Sequence, residues 1–151
     1  MFQVEVSDLK MEPAKIIVRF ADGRIIKGYT QNFSPNKPTF HLRPADPKAS
    51  EESLEVLVQE LKAVFFVRDF SGDPNYKEEK KYPEGVKPSG RVVEVTFKDD
   101  ERIIGSTLGY DPRRPGFFIF PGDLNWNNLK IFVVSQALKR VRYIQTPFSP
   151  I

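Results

Sequence analysis

Apolar and polar residues alternate along Lys15–Phe20, with Ile16, Val18 and Phe20 on one face, which predicts a β-strand. Asp22-Gly23 then gives a hairpin signal, because glycine accepts the positive φ of a tight primed turn. Arg24–Gln31 predicts the return strand, with Gly28 at its middle where glycine marks a bulge or sharp bend. Ser34-Pro35-Asn36-Lys37-Pro38 must be a loop, since proline cannot donate to a sheet ladder. Further strands are predicted at Thr39–Arg43, Leu54–Val58 and Lys62–Val67, with Gln59-Glu60-Leu61 as a single helical turn. Met1-Phe2-Gln3-Val4-Glu5-Val6 also alternates and reads as a strand, not a signal peptide.

The same pattern is then written again, about 77 residues further on. Val18, Phe20, Ile26 and Gly28 fall on Val95, Phe97, Ile103 and Gly105. Pro35, Pro38 and Phe40 meet Pro112, Pro115 and Phe117, and Gln59, Leu61 and Lys62 meet Gln136, Leu138 and Lys139. Asp99-Asp100 takes the place of the Asp-Gly turn, and Asp111-Pro112-Arg113-Arg114-Pro115 that of the proline loop. Gly116–Phe120, Ile131–Ser135 and Lys139–Ile144 read as the corresponding strands. The expected organisation is an internal duplication: a first unit at 1–70, a linker at 71–90 and a second unit at 91–151. The linker is rich in proline and glycine and carries the balanced run Lys77-Glu78-Glu79-Lys80-Lys81. Each unit, with five short strands, a bent second strand and a turn before the last, describes a small antiparallel barrel. The expected fold is therefore all-β, two tandem five-stranded barrels whose strand order is similar to SH3-like and Sm-like barrels.

The copies differ in apolar content. Gly116-Phe117-Phe118-Ile119-Phe120 and Ile131-Phe132-Val133-Val134 are apolar on both strand faces, whereas a strand buried on one side alternates. The first copy has His41, Arg43 and Glu55 where the second has Phe118, Phe120 and Phe132. The second unit is thus expected to bury an extra surface through these three phenylalanines, against its sibling, a second copy or another protein.

Composition narrows the chemistry. The chain has no cysteine and one histidine, which removes disulfides, thiol nucleophiles and ordinary zinc sites. His41 is expected on a strand surface, and Asp99-Asp100-Glu101 as a turn rather than a calcium loop. No glycine-rich phosphate loop is present, so neither a catalytic site, a cofactor nor a metal is assigned. No run approaches the ~20 apolar residues of a membrane span, and the cysteine-free composition suits the cytoplasm. Residues 91–151 carry nine basic and six acidic side chains, the whole of the +3 formal charge. There Arg113 and Arg114 lie beside Tyr110, and Arg140 and Arg142 share one face of the last strand. Guanidinium groups grip phosphates and aromatic rings stack on bases, so these residues form a candidate contact for nucleic acid or a small anion.

Val18-Arg19-Phe20-Ala21-Asp22-Gly23-Arg24, Ile26, Gly28 and Phe33 resemble the first Sm motif. The asparagine with which Sm proteins bind RNA bases would fall near Pro38 or Pro115, and the Arg-Gly of their second motif has no counterpart at Ser135-Gln136. The RNA site is therefore not carried over. Leu61-Lys62-Ala63-Val64-Phe65-Phe66-Val67-Arg68-Asp69-Phe70 and Gly109-Tyr110-Asp111-Pro112-Arg113-Arg114-Pro115-Gly116-Phe117-Phe118 resemble an uncharacterised family of bacterial tandem-domain proteins, sometimes joined to PilZ or response-regulator domains. That resemblance implies a non-catalytic interaction or adaptor module in bacterial signalling or regulation. PilZ domains bind a cyclic dinucleotide through Arg-x-x-x-Arg and Asp/Asn-x-Ser-x-x-Gly patterns, which this chain lacks. Nucleic-acid binding and sensing of a small anion stay open as alternatives.

Overall fold

Residues 12–46, 48, 52–77 and 81–147 are described by a computed structural model, so the strand expected at the amino terminus lies outside the described residues. The remainder is all-β. Its strands are β1 (Ala14–Phe20), β2 (Ile25–Thr30), β3 (Thr39–Pro44), β4 (Leu54–Leu57) and β5 (Leu61–Val67), followed by β6 (Arg91–Phe97), β7 (Arg102–Thr107), β8 (Gly116–Ile119), β9 (Asn128–Val134) and β10 (Leu138–Ile144). One-turn 3-10 helices at Val58–Glu60 and Ser135–Ala137 precede the last strand of each half, where the helical turns were expected. No helix among the described residues is long and apolar enough to cross a membrane.

The turns explain the first hairpin of each half. Gly23 has φ 99°, and its neighbour Arg24 donates its backbone N–H to Asp22 Oδ1 at 3.0 Å. In the second half Asp100 holds the same position at φ 71°, and Glu101 N–H donates to Asp99 Oδ1 at 3.0 Å. A short polar side chain tolerates this left-handed conformation. The mid-strand glycines answer to a close approach. A Cβ on Gly28 would stand 2.3 Å from the Arg43 carbonyl oxygen, and one on Gly105 2.6 Å from that of Phe120.

Register recurs from half to half. Ile16 opposite Gly28 becomes Val93 opposite Gly105, and Val18 opposite Val64 becomes Val95 opposite Val141. Phe40 opposite Val56 becomes Phe117 opposite Val133, and Tyr29 opposite Arg43 becomes the bridge Ser106–Phe120. Even the irregularity at Phe20–Leu61 recurs at Phe97–Leu138.

The halves join by strand pairing. β5 pairs antiparallel with β9, setting Ala63 opposite Val133, Val64 opposite Phe132 and Phe65 opposite Ile131. A seven-stranded sheet results, in the order β4-β3-β2-β1-β5-β9-β8, beside a three-stranded sheet β10-β6-β7. The latter connects to β8 through reciprocal Ser106–Phe120 backbone hydrogen bonds of 2.8 Å.

Alternation along the joint divides the interior in two. Val64, Phe66, Phe132 and Val134 point into a core with Ile16, Val18, Phe40 and Leu42. Ala63, Phe65, Ile131 and Val133 point the opposite way, into a core with Val93, Val95, Phe97 and Phe117. Each half therefore supplies a strand face to the other's core, and β5 and β9 must be apolar on both sides.

Candidate functional site

The structure uses the three phenylalanines of the second half within the chain. Phe132 is wholly buried, with its ring 5.0 Å from Phe33 and 5.3 Å from Phe118, both edge-to-face. Phe118 is half-buried against the first core and Phe120 half-buried beside it, their centroids 6.3 Å apart. Lys130 covers this cluster, its Nζ 4.8 Å from the Phe66 and Phe118 rings. Phe132 and Phe118 thus pack against the first half, while Phe120 stays beside Phe118 at the rim.

What remains open lies at the rim. A groove of about 400 Å³ runs between Leu108, Tyr110, Arg114, Phe117, Phe118 and Phe120. Its position follows from two turns. Thr107, almost fully buried, receives the Gly109 N–H on its Oγ1 at 3.3 Å and donates that hydroxyl to the Gly109 carbonyl at 3.2 Å. The chain therefore bends at Leu108 and projects its side chain outward, 77% exposed. Asp111 builds the opposite lip. It accepts the Arg113 backbone N–H at 2.9 Å and the Arg113 Nε and Nη2 at 3.1 Å each. The Arg113 guanidinium, then the Arg113 backbone N–H, holds the Asp111 carboxyl below its usual range. Ser135 fixes the loop from behind, its Oγ donating to the Arg114 carbonyl at 3.1 Å. Tyr110 contributes a wall, its ring 4.8 Å from Phe117.

The arginines expected to act together are divided. Arg113 turns back onto Asp111, while Arg114 is exposed at the groove mouth. Arg140 and Arg142 stand on β10, and Arg142 Nη2 reaches Glu94 Oε1 at 3.1 Å. Glu94, 8% exposed at its side chain, is also 3.7 Å from Arg102 Nη1. The groove that Arg114 lines includes neither Arg140 nor Arg142. His41 sits exposed on β3, its ring Nδ1 2.8 Å from Asn32 Nδ2 and its backbone N–H donating to Asn32 Oδ1 at 2.9 Å.

Two features escaped the sequence reading. Lys62, buried in the joint, donates to Asp99 Oδ2 at 2.6 Å and Glu101 Oε1 at 2.5 Å, tying β5 to the β6–β7 turn. The Asp99-Asp100-Glu101 cluster is thus shared between lysines, since Asp100 takes Lys139 at 2.8 Å. A cavity of about 520 Å³ beside the pair is floored by Phe20, Leu61 and Phe97. Leu108 is the second. Its counterpart in the first half is Gln31, at the end of the predicted return strand, and that polar-to-apolar change was the available signal.

Residues 12–145 match the family of unknown function DUF6982, and the chain belongs to that family. No curated protein and no solved structure matches the chain.

Proposed function

We propose that this chain is a non-catalytic protein-interaction module built of two duplicated SH3-like/Sm-like barrels. Its groove beneath Leu108 takes an extended apolar segment carrying a carboxylate. The observation that carries this reading is Leu108 itself, a large apolar side chain held in water above an aromatic floor by a built turn. Aromatic anchors within a polar rim are the composition of protein contact sites. Arg114 at the mouth supplies the charge for an acidic residue. The basic side chains support a protein rather than a polyanion, since Arg113 beside the groove, and Arg142 and Lys139 on the separate β10, already face carboxylates of this chain. The resemblance to proteins joined to response-regulator and PilZ domains directs the search for a partner to bacterial signalling, where the module acts as an adaptor.

The test is selection from a displayed peptide library on the full chain, followed by fluorescence anisotropy with the enriched peptides. Single-stranded RNA and duplex DNA are measured in parallel at low and moderate salt. Apolar peptides with an acidic residue are expected to bind, and Leu108→Asp to weaken them at least about tenfold. Failure of any peptide to depend on Leu108 overturns the reading. Steeply salt-dependent RNA binding, lost in Arg113→Ala/Arg114→Ala, would replace it with nucleic-acid recognition.

A further inference from the structure

The cavity beside the Lys62 clasp is lined by a cation that the described chain leaves without an anion. Its walls come from corresponding positions of both halves: Phe20 and Phe97 at the ends of β1 and β6, Gln59 and Gln136 in the 3-10 turns. Arg19 and Ile25 complete it on the side of the first half. Successive strand residues ordinarily point to opposite faces. Arg19 and Phe20 nevertheless both line this space, because the β1–β5 register slips between them.

Arg19 is half-buried, its Cζ 5.3 Å from the centroid of the Phe65 ring. Its Nε is buried with no hydrogen-bond partner, and no carboxylate among the described residues pairs with its guanidinium. The residues opposite it are Ile25 and Ala63, and Ile17 precedes it on the same face. The second half shows what is missing. Where the first half has Ile17 the second has Glu94, which takes Arg142 at 3.1 Å and Arg102 at 3.7 Å. Asp99, the carboxylate that lines the cavity, is already held by Lys62 at 2.6 Å. With Lys98 exposed at the rim, the cavity sets an excess of positive charge beside apolar walls. A buried donor without an acceptor is destabilising, and an incoming oxyanion relieves it through a charge-assisted hydrogen bond.

We infer that this cavity binds a small amphipathic anion, a carboxylate or phosphate head on an apolar body. Arg19 takes the head, Phe20 and Ile25 face the body, and the amides of Gln59 and Gln136 stand at the edge. A volume of about 520 Å³ with apolar walls and a few polar groups suits a small molecule. Because the walls belong to both halves, an occupant braces one against the other and raises the stability of the chain.

The test is calorimetric titration of the full chain with naphthoate and with naphthyl phosphate, alongside thermal melts. Naphthylmethanol serves as the uncharged counterpart and inorganic phosphate as the head alone. At least one aryl anion is expected to bind and to raise the melting temperature, and the tighter of the two identifies the head group. Naphthylmethanol and inorganic phosphate should each bind at least about tenfold more weakly, and Arg19→Met should weaken the aryl anion by a similar factor. Ile25→Glu provides an independent variant at a 52% exposed site. It sets a carboxylate opposite Arg19 on the same strand face, so anion binding should be lost with no fall in melting temperature. Absence of binding at millimolar aryl anion overturns the inference. So does equal affinity for naphthylmethanol or inorganic phosphate, or an affinity unchanged in Ile25→Glu. Loss of binding in Leu108→Asp, with Arg19→Met unaffected, would move the anion to the Leu108 groove and overturn it as well.

Discussion

β5 and β10 end the two halves in the same way, yet one is the most enclosed strand of the molecule and the other among its most exposed. The first reads Leu-Lys-Ala-Val-Phe-Phe-Val, the second Leu-Lys-Arg-Val-Arg-Tyr-Ile. Every residue of β5 is buried and none of β10 is. Both pair with the first strand of their own half in the same register. The difference lies on the other side, where β5 meets β9 and β10 has no neighbour among the described residues. A strand's composition thus follows its outer edge as much as the half it belongs to. Ala63 and Phe65 enter the second core, while Arg140 and Arg142, at the same positions, face outward beside Thr96 and Glu94.

The hardest way to break this comparison is to exchange residues between the strands. Ala63, fully buried opposite Val133, leaves no room for a guanidinium and offers it no partner. Ala63→Arg, which gives β5 the residue of β10, is expected to cost more than about 4 kcal/mol, because a buried charge is added to overpacking. Both cores lose stability together, since β5 borders each. Arg140→Ala, the reverse exchange at an exposed site, is expected to shift stability by no more than about 0.5 kcal/mol. Urea unfolding of the two variants, followed by the fluorescence of Trp126 and by circular dichroism, measures both.

A smaller contrast separates Lys62 from Lys139, the second residues of the two strands. Lys62 is 11% exposed at its side chain and holds two carboxylates across the joint, whereas Lys139 is 60% exposed and holds one. Lys62→Met keeps the apolar stem over Phe97 but leaves Asp99 and Glu101 facing each other without a cation. These carboxylates reach water, at 56% and 35% exposure, so the expected loss is about 1–2 kcal/mol rather than that of a sealed pair. Lys139→Met is expected to change stability by less than about 0.5 kcal/mol, as exposed pairs do. Thermal melts at matched ionic strength separate them.

How much of this was legible follows from where each signal sits. Strand order, turns and bend glycines are written locally, in alternation, Asp-Gly and proline, and the strands fall within about three residues of expectation. The double-sided apolarity of Phe117–Phe120 and Ile131–Val134 announced a second buried surface. It could not say which surface, because pairing between distant strands leaves no local mark. The partner strand carried the same mark at Ala63-Val64-Phe65-Phe66-Val67, and reading the two runs together would have suggested their pairing. The candidate site was legible in its residues but not in their use. Arg113 looks like Arg114 in sequence, and only the turn at Asp111 ties one to a carboxylate at the surface and leaves the other at the groove. Lys62 looked like an ordinary strand lysine, because its carboxylates lie across the joint.

Acid provides the finest resolution of the two halves, through Asp22 and Asp99, which hold the same hairpin position. Both carboxyls lie below the ordinary 3.8, and both are similarly exposed, at 57% and 56%. The leading causes differ. For Asp22 it is the Arg24 backbone N–H within the same turn, and for Asp99 it is the hydrogen bond from Lys62 across the joint. A carboxyl lowered by folding adds stability that is complete above its unfolded value and is lost as pH falls through the lowered folded one. Each aspartate therefore steepens the loss of stability below about pH 4. Lys62→Met is expected to relax that slope at Asp99 while leaving Asp22 as it was, and Asp99→Asn should add little further relaxation once Lys62 is gone. Asp22→Asn should relax the slope by the same amount in either background. Urea midpoints measured from pH 7 to 2 in the single and double variants report this, with salt reducing the Asp99 effect because the pair is open to solvent. Equal response of both aspartates to Lys62→Met would mean that the Lys62 clasp is not what distinguishes the second half's hairpin from the first.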